Sequence, residues 1–340
     1  MRDPLLSIRD LRVRFETGDG VVRAVDGVDF DVGEGETVCL VGESGSGKTV
    51  ACESITRLLP DTAAIDGAIR FDGTDLTDCS SSDLESYRGG RIGHVFQNPQ
   101  DALDPVYTVG QQVVEAIRIH RDVSKATARE EAVALLDRVG IGEAEARFDD
   151  YPHQFSGGMK QRVVVAMALA PDPDLLIADE PTTALDVTIQ RQVLDLLADL
   201  QAERGMALLF VTHDLGVVAE IADRVVVMYA GEVMETAGVA ALFDDPAHPY
   251  TRALLACLPG RGDPFETIGG SIPDPTDPPD GCRFHPRCPH AVDDCERGHH
   301  PAPRPAGQSP ETDHEVACLL YDDDHALPRE LAGSDTGGGR

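Results

Sequence analysis

Lys48 and Thr49 close the octapeptide Gly42-Glu43-Ser44-Gly45-Ser46-Gly47-Lys48-Thr49, an order of residue types suited to holding phosphate. Gly42, Gly45 and Gly47 allow the backbone to curl so that successive N–H groups point into one concavity. A helix beginning at the end of such a loop adds partial positive charge where the phosphates lie. The amine of Lys48 would reach β- and γ-phosphates, and the hydroxyl of Thr49 would offer an oxygen to Mg²⁺. The flanks suit that chemistry: Thr37 to Val41 reads as a buried strand and Val50 to Leu59 as a helix. The bland alternative is a glycine-rich β-to-α turn that happens to carry a surface lysine.

Further groups that could act on a phosphate stand at the ends of apolar runs. Leu175 to Ala178 ends in Asp179-Glu180, and adjacent carboxylates at a strand's C-terminal end suit metal binding and general-base work, or are simply a charged loop. Arg91 to Phe96 ends in Gln97, and Ala207 to Val211 runs into Thr212-His213-Asp214; alone, neither Gln97 nor His213 signifies much. Ser156-Gly157-Gly158 opens a helix that carries Lys160 and Gln161. Ser156 is a fitting N-cap and the glycines leave N–H groups open, so the turn is a capped helix start or a second anion cradle.

Of eight cysteines, Cys39, Cys52, Cys79 and Cys257 are scattered, whereas Cys282, Cys288, Cys295 and Cys318 follow a C-x5-C-x6-C-x22-C spacing. Four cysteines in so polar a stretch are hard to explain as packing, and a reducing compartment favours a metal site over disulfides. The spacing is not the short C-x2-C of common zinc ribbons. His285, His290, His299, His300 and His314 are alternative ligands or ordinary surface residues.

The elements needed to position these groups are legible in order. Leu5 to Phe15 and Val21 to Val32 alternate as strands, and Gly67 to Asp75 reads as a strand and turn followed by a polar stretch through Gly90. From Asp104 to Arg147 the pattern turns helical, with Val109, Val113 and Ile117 on one face and Ala132, Leu135, Leu136 and Val139 on another. A helix over Val187 to Arg204 and a hairpin of Val225 to Met228 with Glu232 to Glu235 complete the core, and Pro259 to Asp280 is a Pro- and Gly-rich connector.

The 340 residues suffice for one large domain with an appendage. Asp and Glu number 60 against 29 Lys and Arg, a formal net charge of -31 that argues against a nucleic-acid-binding surface. Lys48, Lys125 and Lys160 are the only lysines, and so acidic a chain suits a cytoplasm of very high salt, where self-repulsion is screened. No apolar run approaches the roughly 18 to 20 residues of a membrane span, and no signal-peptide core stands at the start, so a cytoplasmic protein able to dock on a membrane partner is expected.

A phosphate loop, a glutamine-ended strand, Ser-Gly-Gly, Asp-Glu and Thr-His-Asp in this order resemble an ABC-transporter nucleotide-binding subunit over roughly Leu5 to Pro259. The resemblance implies an α/β P-loop NTPase (RecA-like) core, an antiparallel β layer, and a helical subdomain near 101–169. It implies that Gly42, Ser44, Gly45, Gly47, Lys48, Thr49 and Val50 cradle ATP, that Phe15 stacks on adenine, and that Thr49, Gln97 and Asp179 serve Mg²⁺. Glu180 would be the general base, His213 would contact the γ-phosphate, and Asp186 would bridge two sites. Ser156, Gly157, Gly158 and Gln161 would act on ATP bound by a partner subunit in a head-to-tail dimer. Phe155 stands where many members have leucine, an apolar exchange without catalytic consequence.

The segment Asp244 to Leu255 and the loop Gly42 to Gly47 resemble the oligopeptide, dipeptide and nickel importer branch. That implies a second, different ATPase subunit, two transmembrane permease subunits, an external solute-binding protein, and a place on the cytoplasmic face of the membrane. In this branch a four-cysteine tail resembles one that binds a [4Fe-4S] cluster, with structural Zn²⁺ or free thiols as the alternatives. The implied organisation is a nucleotide-binding domain over 1–258, a connector and four-cysteine domain over 259–321, and a flexible tail over 322–340. Rival readings are a soluble ABC ATPase of DNA repair or translation, an importer ATPase for nickel or oligosaccharides, and a redox-sensing regulatory subunit.

Overall fold

Two β-sheets with helices packed on them organise the chain in a computed structural model that describes residues 3–18, 20–97, 102–182, 187–258, 268–306 and 313–322. The first sheet is antiparallel, with strand order β2-β1-β4-β5, built from β1 (Leu6–Thr17), β2 (Gly20–Val32), β4 (Ala63–Phe71) and β5 (Thr74–Asp75). The second has eight strands among the described residues. Five of them, β3 (Thr37–Val41), β6 (Ile92–Val95), β7 (Leu175–Asp179), β8 (Ala207–Thr212) and β9 (Arg224–Tyr229), run parallel in the order β9-β3-β8-β7-β6, with β6 at the edge.

The parallel strands read as continuous apolar runs because both of their faces are covered. Alternate residues enter two different cores. Cys39, Val41, Leu176, Ala178, Leu208 and Phe210 face one that includes the helical region. Val38, Leu40, Leu175, Ile177, Leu209 and Val211 face another, shared with the antiparallel sheet and with helix α1 (Lys48–Ile55).

The expected helical insertion is present as α3 (Val109–His120), α4 (Lys125–Arg138) and α5 (Ala144–Arg147). Thr108 and Gln111 close a capping box on α3, and Ser124 caps α4, so the polar 121–124 stretch is a turn with a defined end. Val109, Val113, Ile117, Ala132, Leu135, Leu136 and Val139 are all buried, as their spacing predicts. Helix α6 (Gly157–Leu169) then packs against α3, α4 and β6.

Two local expectations change. Strand β4 begins at Ala63 rather than Gly67, and the polar stretch before Gly90 contains a short helix, α2 (Ser81–Glu85), capped by Ser80. Its one buried side chain, Leu84, gives too little periodicity to be read from sequence.

Helices α7 (Val187–Arg204), α8 (Leu215–Ile221), α9 (Val239–Asp244) and α10 (Pro249–Ala256) follow. The C-terminal stretch joins the large sheet. Strand β10 (Glu232–Gly238) pairs antiparallel with β9, β12 (Glu315–Val316) with β10, and β11 (Arg304–Pro305) with β12. Cys282, Phe284 and Cys295 share the core cluster of the sheet's helical face. Asp186, the first part of the Pro-rich connector, and 323–340 of the expected flexible tail lie outside the described residues.

Candidate functional site

The parallel strands deliver their C-terminal ends to one edge, and the residues singled out by their chemistry stand there. The loop after β3 is shaped by glycines where no other residue fits. A Cβ at Gly42, whose φ is 152°, would lie 2.1 Å from the Met228 carbonyl oxygen, and one at Gly47, φ 94°, would lie 2.3 Å from the Ala24 carbonyl oxygen. The loop is therefore pressed against β9 and β2. Within its curl Lys48, almost fully buried, donates from Nζ to the carbonyls of Gly42 and Glu43, both at 2.9 Å, and to Ser46 Oγ at 3.1 Å. Ser44, Gly45 and Thr49 face outward, leaving the concave side open.

Burial pulls the Lys48 ammonium below its ordinary pKa, and the nearby carboxylates of Glu180 and Asp179 pull the other way. Asp179 is the mirror case. Burial pushes its carboxyl up, while a hydrogen bond from Thr49 holds it down. One of its oxygens, Oδ1, is buried without a hydrogen-bond partner. A buried carboxylate oxygen with a spare acceptor position, next to a serviceable hydroxyl, fits a hard divalent cation bound through oxygen, as Mg²⁺ is. Asp179 and Thr49 thus fit Mg²⁺ as the residues that would hold it.

Glu180 is held from two sides. Gln97 Nε2 donates to its Oε2 at 3.0 Å, and His213 Nδ1 lies 3.1 Å from its Oε1. Its backbone has φ 45°, a left-handed conformation uncommon for a non-glycine residue, while its N–H is tied to the Val211 carbonyl at 2.9 Å. The turn aims the carboxylate back across the strand ends. Gly42, Glu43, Ser44, Gln97, Glu180 and His213 line a cleft of about 380 Å³. A neighbouring hollow of about 710 Å³ is bordered by Thr49, Gln97 and Asp179 together with Phe96 and helices α3 and α6.

The structure brings Gly42, Ser44, Lys48, Thr49, Gln97, Asp179, Glu180 and His213 to one place, whereas Ser156, Gly157, Gly158, Gln161 and Phe15 have other surroundings. Ser156 caps α6, its Oγ accepting from the Met159 N–H at 3.3 Å, and Ser156 and Gly157 are exposed. Gly158 abuts Ile189 of α7, where a Cβ would meet the side chain at 2.8 Å, and Gln161 is buried with Nε2 unpartnered. Phe15 is half-buried on β1 between Val22 and Ala63.

Sequence reasoning missed several residues that hold the loop. Tyr250 Oη accepts the Glu43 N–H at 2.9 Å, and Arg287, far along the chain, pairs with the Glu43 carboxylate at 2.9 Å. The one available signal was the pair Arg283 and Arg287 set among cysteines in an otherwise acidic chain.

The four tail cysteines carry free thiols, three of them buried. Burial raises the Cys318 thiol to about 12 and pushes Cys282 and Cys288 up as well, with neighbouring thiols adding to each rise. Cys282, Cys288 and Cys318 each receive a hydrogen bond from the backbone two residues on, at Phe284, His290 and Leu320. Among the described residues no group of three or more His, Cys, Asp or Glu side chains is arranged to hold a metal ion.

Residues 25–183 match the ABC transporter family, and residues 234–295 match the oligopeptide/dipeptide transporter C-terminal region. The chain is 46% identical over 327 residues to the oligopeptide transport ATP-binding protein AppD of Bacillus subtilis, covering 95% of this chain and 98% of that one. It is 50% identical over 299 residues to a probable peptide ABC transporter ATP-binding protein of Sinorhizobium fredii, covering 86% and 89%. Among solved structures, a dimeric ATP-binding cassette in a post-hydrolysis state with ADP and phosphate superposes with a TM-score of 0.63 at 29% identity, over 69% of this chain and 98% of that one.

Proposed function

The chain belongs to the ABC transporter ATP-binding proteins of the oligopeptide/dipeptide type, and from that premise we propose that it is the ATP-hydrolysing subunit of a peptide importer. Members of this family hydrolyse ATP. The observation that carries the site assignment is the suspension of Glu180 between Gln97 and His213 at the lip of a glycine-built phosphate loop.

In this reading the loop N–H groups and Lys48 hold the β- and γ-phosphates, and Glu180 takes the proton of the attacking water. His213 and Gln97 orient Glu180, and His213 meets the γ-phosphate. Mg²⁺, held by Thr49 and Asp179 with Gln97 nearby, would supply charge compensation at the phosphate oxygens. Phosphoryl transfer asks for positioning and charge compensation more than covalent help, and these side chains supply both. Phe15 would stack on adenine. The exposed Ser156 and Gly157, with Gly158 and Gln161 behind them, would close the ATP site of a second ATPase subunit, with Asp186 between the two sites. Exposed Ser156 and Gly157, and the dimeric state of the solved relative, support that arrangement.

The partners proposed are two permease subunits, a different second ATPase and an external peptide-binding protein, with this chain on the cytoplasmic face of the membrane. No helix among the described residues is long and apolar enough to cross a membrane. The organisation proposed is a nucleotide-binding domain over 1–258 followed by the connector and four-cysteine region over 259–321. The excess of acidic residues further supports a high-salt cytoplasm.

For the tail, a [4Fe-4S] cluster on Cys282, Cys288, Cys295 and Cys318 is the reading, with Zn²⁺ as its alternative. Backbone N–H donors to three of the sulfurs are consistent with thiolates held for a metal. Among the described residues no three of these side chains are arranged to hold a metal ion, which counts against the cluster and Zn²⁺ alike. When bound, the cluster would stabilise a tail with little core of its own.

The functional test is peptide uptake by cells whose chromosomal copy is replaced. The parent chain restores ATP-dependent uptake and co-purifies with two membrane subunits. A chain that hydrolyses ATP yet supports no uptake and copurifies with DNA or ribosomes would transfer it to the soluble class.

A further inference from the structure

One side chain of the C-terminal tail reaches the phosphate loop. Arg287, whose side chain is 3% exposed, donates from Nη1 to Glu43 Oε1 at 2.9 Å and from Nη2 to Glu43 Oε2 at 3.2 Å. The rest of the guanidinium bonds Tyr229 Oη at 3.1 Å, the Ile268 carbonyl at 3.1 Å and the Gly269 carbonyl at 2.7 Å. Every N–H of the fork has an acceptor, a geometry that lysine cannot reproduce.

Glu43 is the second residue of the loop, and its backbone is held as tightly as its carboxylate. Its N–H meets Tyr250 Oη at 2.9 Å, and its carbonyl accepts from Lys48 Nζ at 2.9 Å. The far end of the loop has a matching support. Arg283, also buried, donates to the Ala230 carbonyl and pairs with Asp26 and Glu232. The turn it holds gives the Gly231 N–H to the Ser46 carbonyl at 3.0 Å.

We propose that Arg287 is a positioning residue for nucleotide binding: by gripping Glu43 it preforms the phosphate loop, so ATP affinity depends on the cysteine-bearing tail. A glycine-rich loop left free loses much conformational freedom when it closes on phosphate, and a loop already fixed does not. The inference rests on the reading of Gly42 to Thr49 as the ATP cradle. A purely structural tie would lower thermal stability and leave nucleotide affinity alone.

The experiment measures binding of a fluorescent ATP analogue, steady-state ATP hydrolysis and Tm for the full chain, for Glu43→Gln, for Arg287→Lys and for the double variant. Each single change is expected to raise Kd and KM about tenfold, with kcat at saturating ATP falling by less than KM rises. The double variant should be no worse than the more affected single one, because both remove the same contact. Glu43→Gln keeps the shape of the side chain and decides the matter alone if Arg287→Lys fails to fold. ATP affinity within twofold of the parent in folded Glu43→Gln, whatever its Tm, overturns the proposal. A parent chain that binds no ATP overturns both the proposal and the cradle.

Discussion

Glu180 is held in one orientation by its surroundings. Its left-handed backbone is uncommon for a non-glycine residue, and both carboxylate oxygens have partners, Gln97 and His213, that come from different strand ends. Glu180→Gln preserves that shape while removing the proposed base. It should bind ATP with near-parental affinity and lose roughly 10²-fold or more in turnover; turnover within tenfold of the parent would strip Glu180 of the role. His94 carries a different prediction. Its ring stacks on Phe96 at 5.6 Å, its Nε2 lies 2.9 Å from Thr56 Oγ1, and burial, reinforced by Arg88, pushes its pKa down to about 4. An unfolded histidine titrates near 6.5, so the unfolded chain takes up a proton first as pH falls. Stability is intact above about pH 6.5 and drains away towards pH 4, by up to about 3 kcal/mol from this residue. His94→Gln should flatten the fall in urea midpoint between pH 7.5 and 5 relative to the parent; parallel curves would show that His94 does not set it.

The loop, as an element, is fixed by contacts on its outer side. Gly42 and Gly47 press on carbonyl oxygens of β9 and β2, whereas a Cβ at Gly45, φ 83°, meets nothing within 4 Å. Gly42→Ala and Gly47→Ala should therefore each cost about 3 kcal/mol or more, and Gly45→Ala only the left-handed strain of about 1–2 kcal/mol. Thermal melts of the three variants check the order, and equal losses would contradict it. That difference was not visible in the octapeptide, where the three glycines look alike. The strand ends that carry Asp179, Gln97 and His213 were legible because parallel strands print as unbroken apolar runs, as Leu175 to Ala178 does. The partners of the loop were not legible. Arg287 and Glu43 are separated by 244 positions, and the two-residue strands β11 and β12 are too short for any period to show. The pairing of β12 with β10, and of β11 with β12, turns a sequence that reads as an appendage into an extension of the main sheet.

Across the whole molecule, charge is the property that no single contact manages. With 60 acidic and 29 basic side chains, complete pairing would still leave 31 carboxylates without a cationic partner. Ion pairs such as Arg9 with Asp31, Arg91 with Asp174 and Arg129 with Glu145 lie at the surface, where each contributes little. The excess charge acts collectively, repelling across the folded surface over a Debye length of about 10 Å at 0.1 M salt and about 3 Å at 1 M. Folding brings these charges closer than they stand in the open chain, so screening should favour the folded state. Tm is expected to climb by several degrees between 0.1 and 1 M KCl and then to level off, because above that concentration neighbouring charges are already hidden from one another. Preferential exclusion of salt from the surface would instead give a rise that continues through 3 M and is stronger with sulfate than with chloride. A Tm that does not move between 0.1 and 1 M would mean that self-repulsion is not a significant part of this protein's stability, and the high-salt habitat would lose its physical basis.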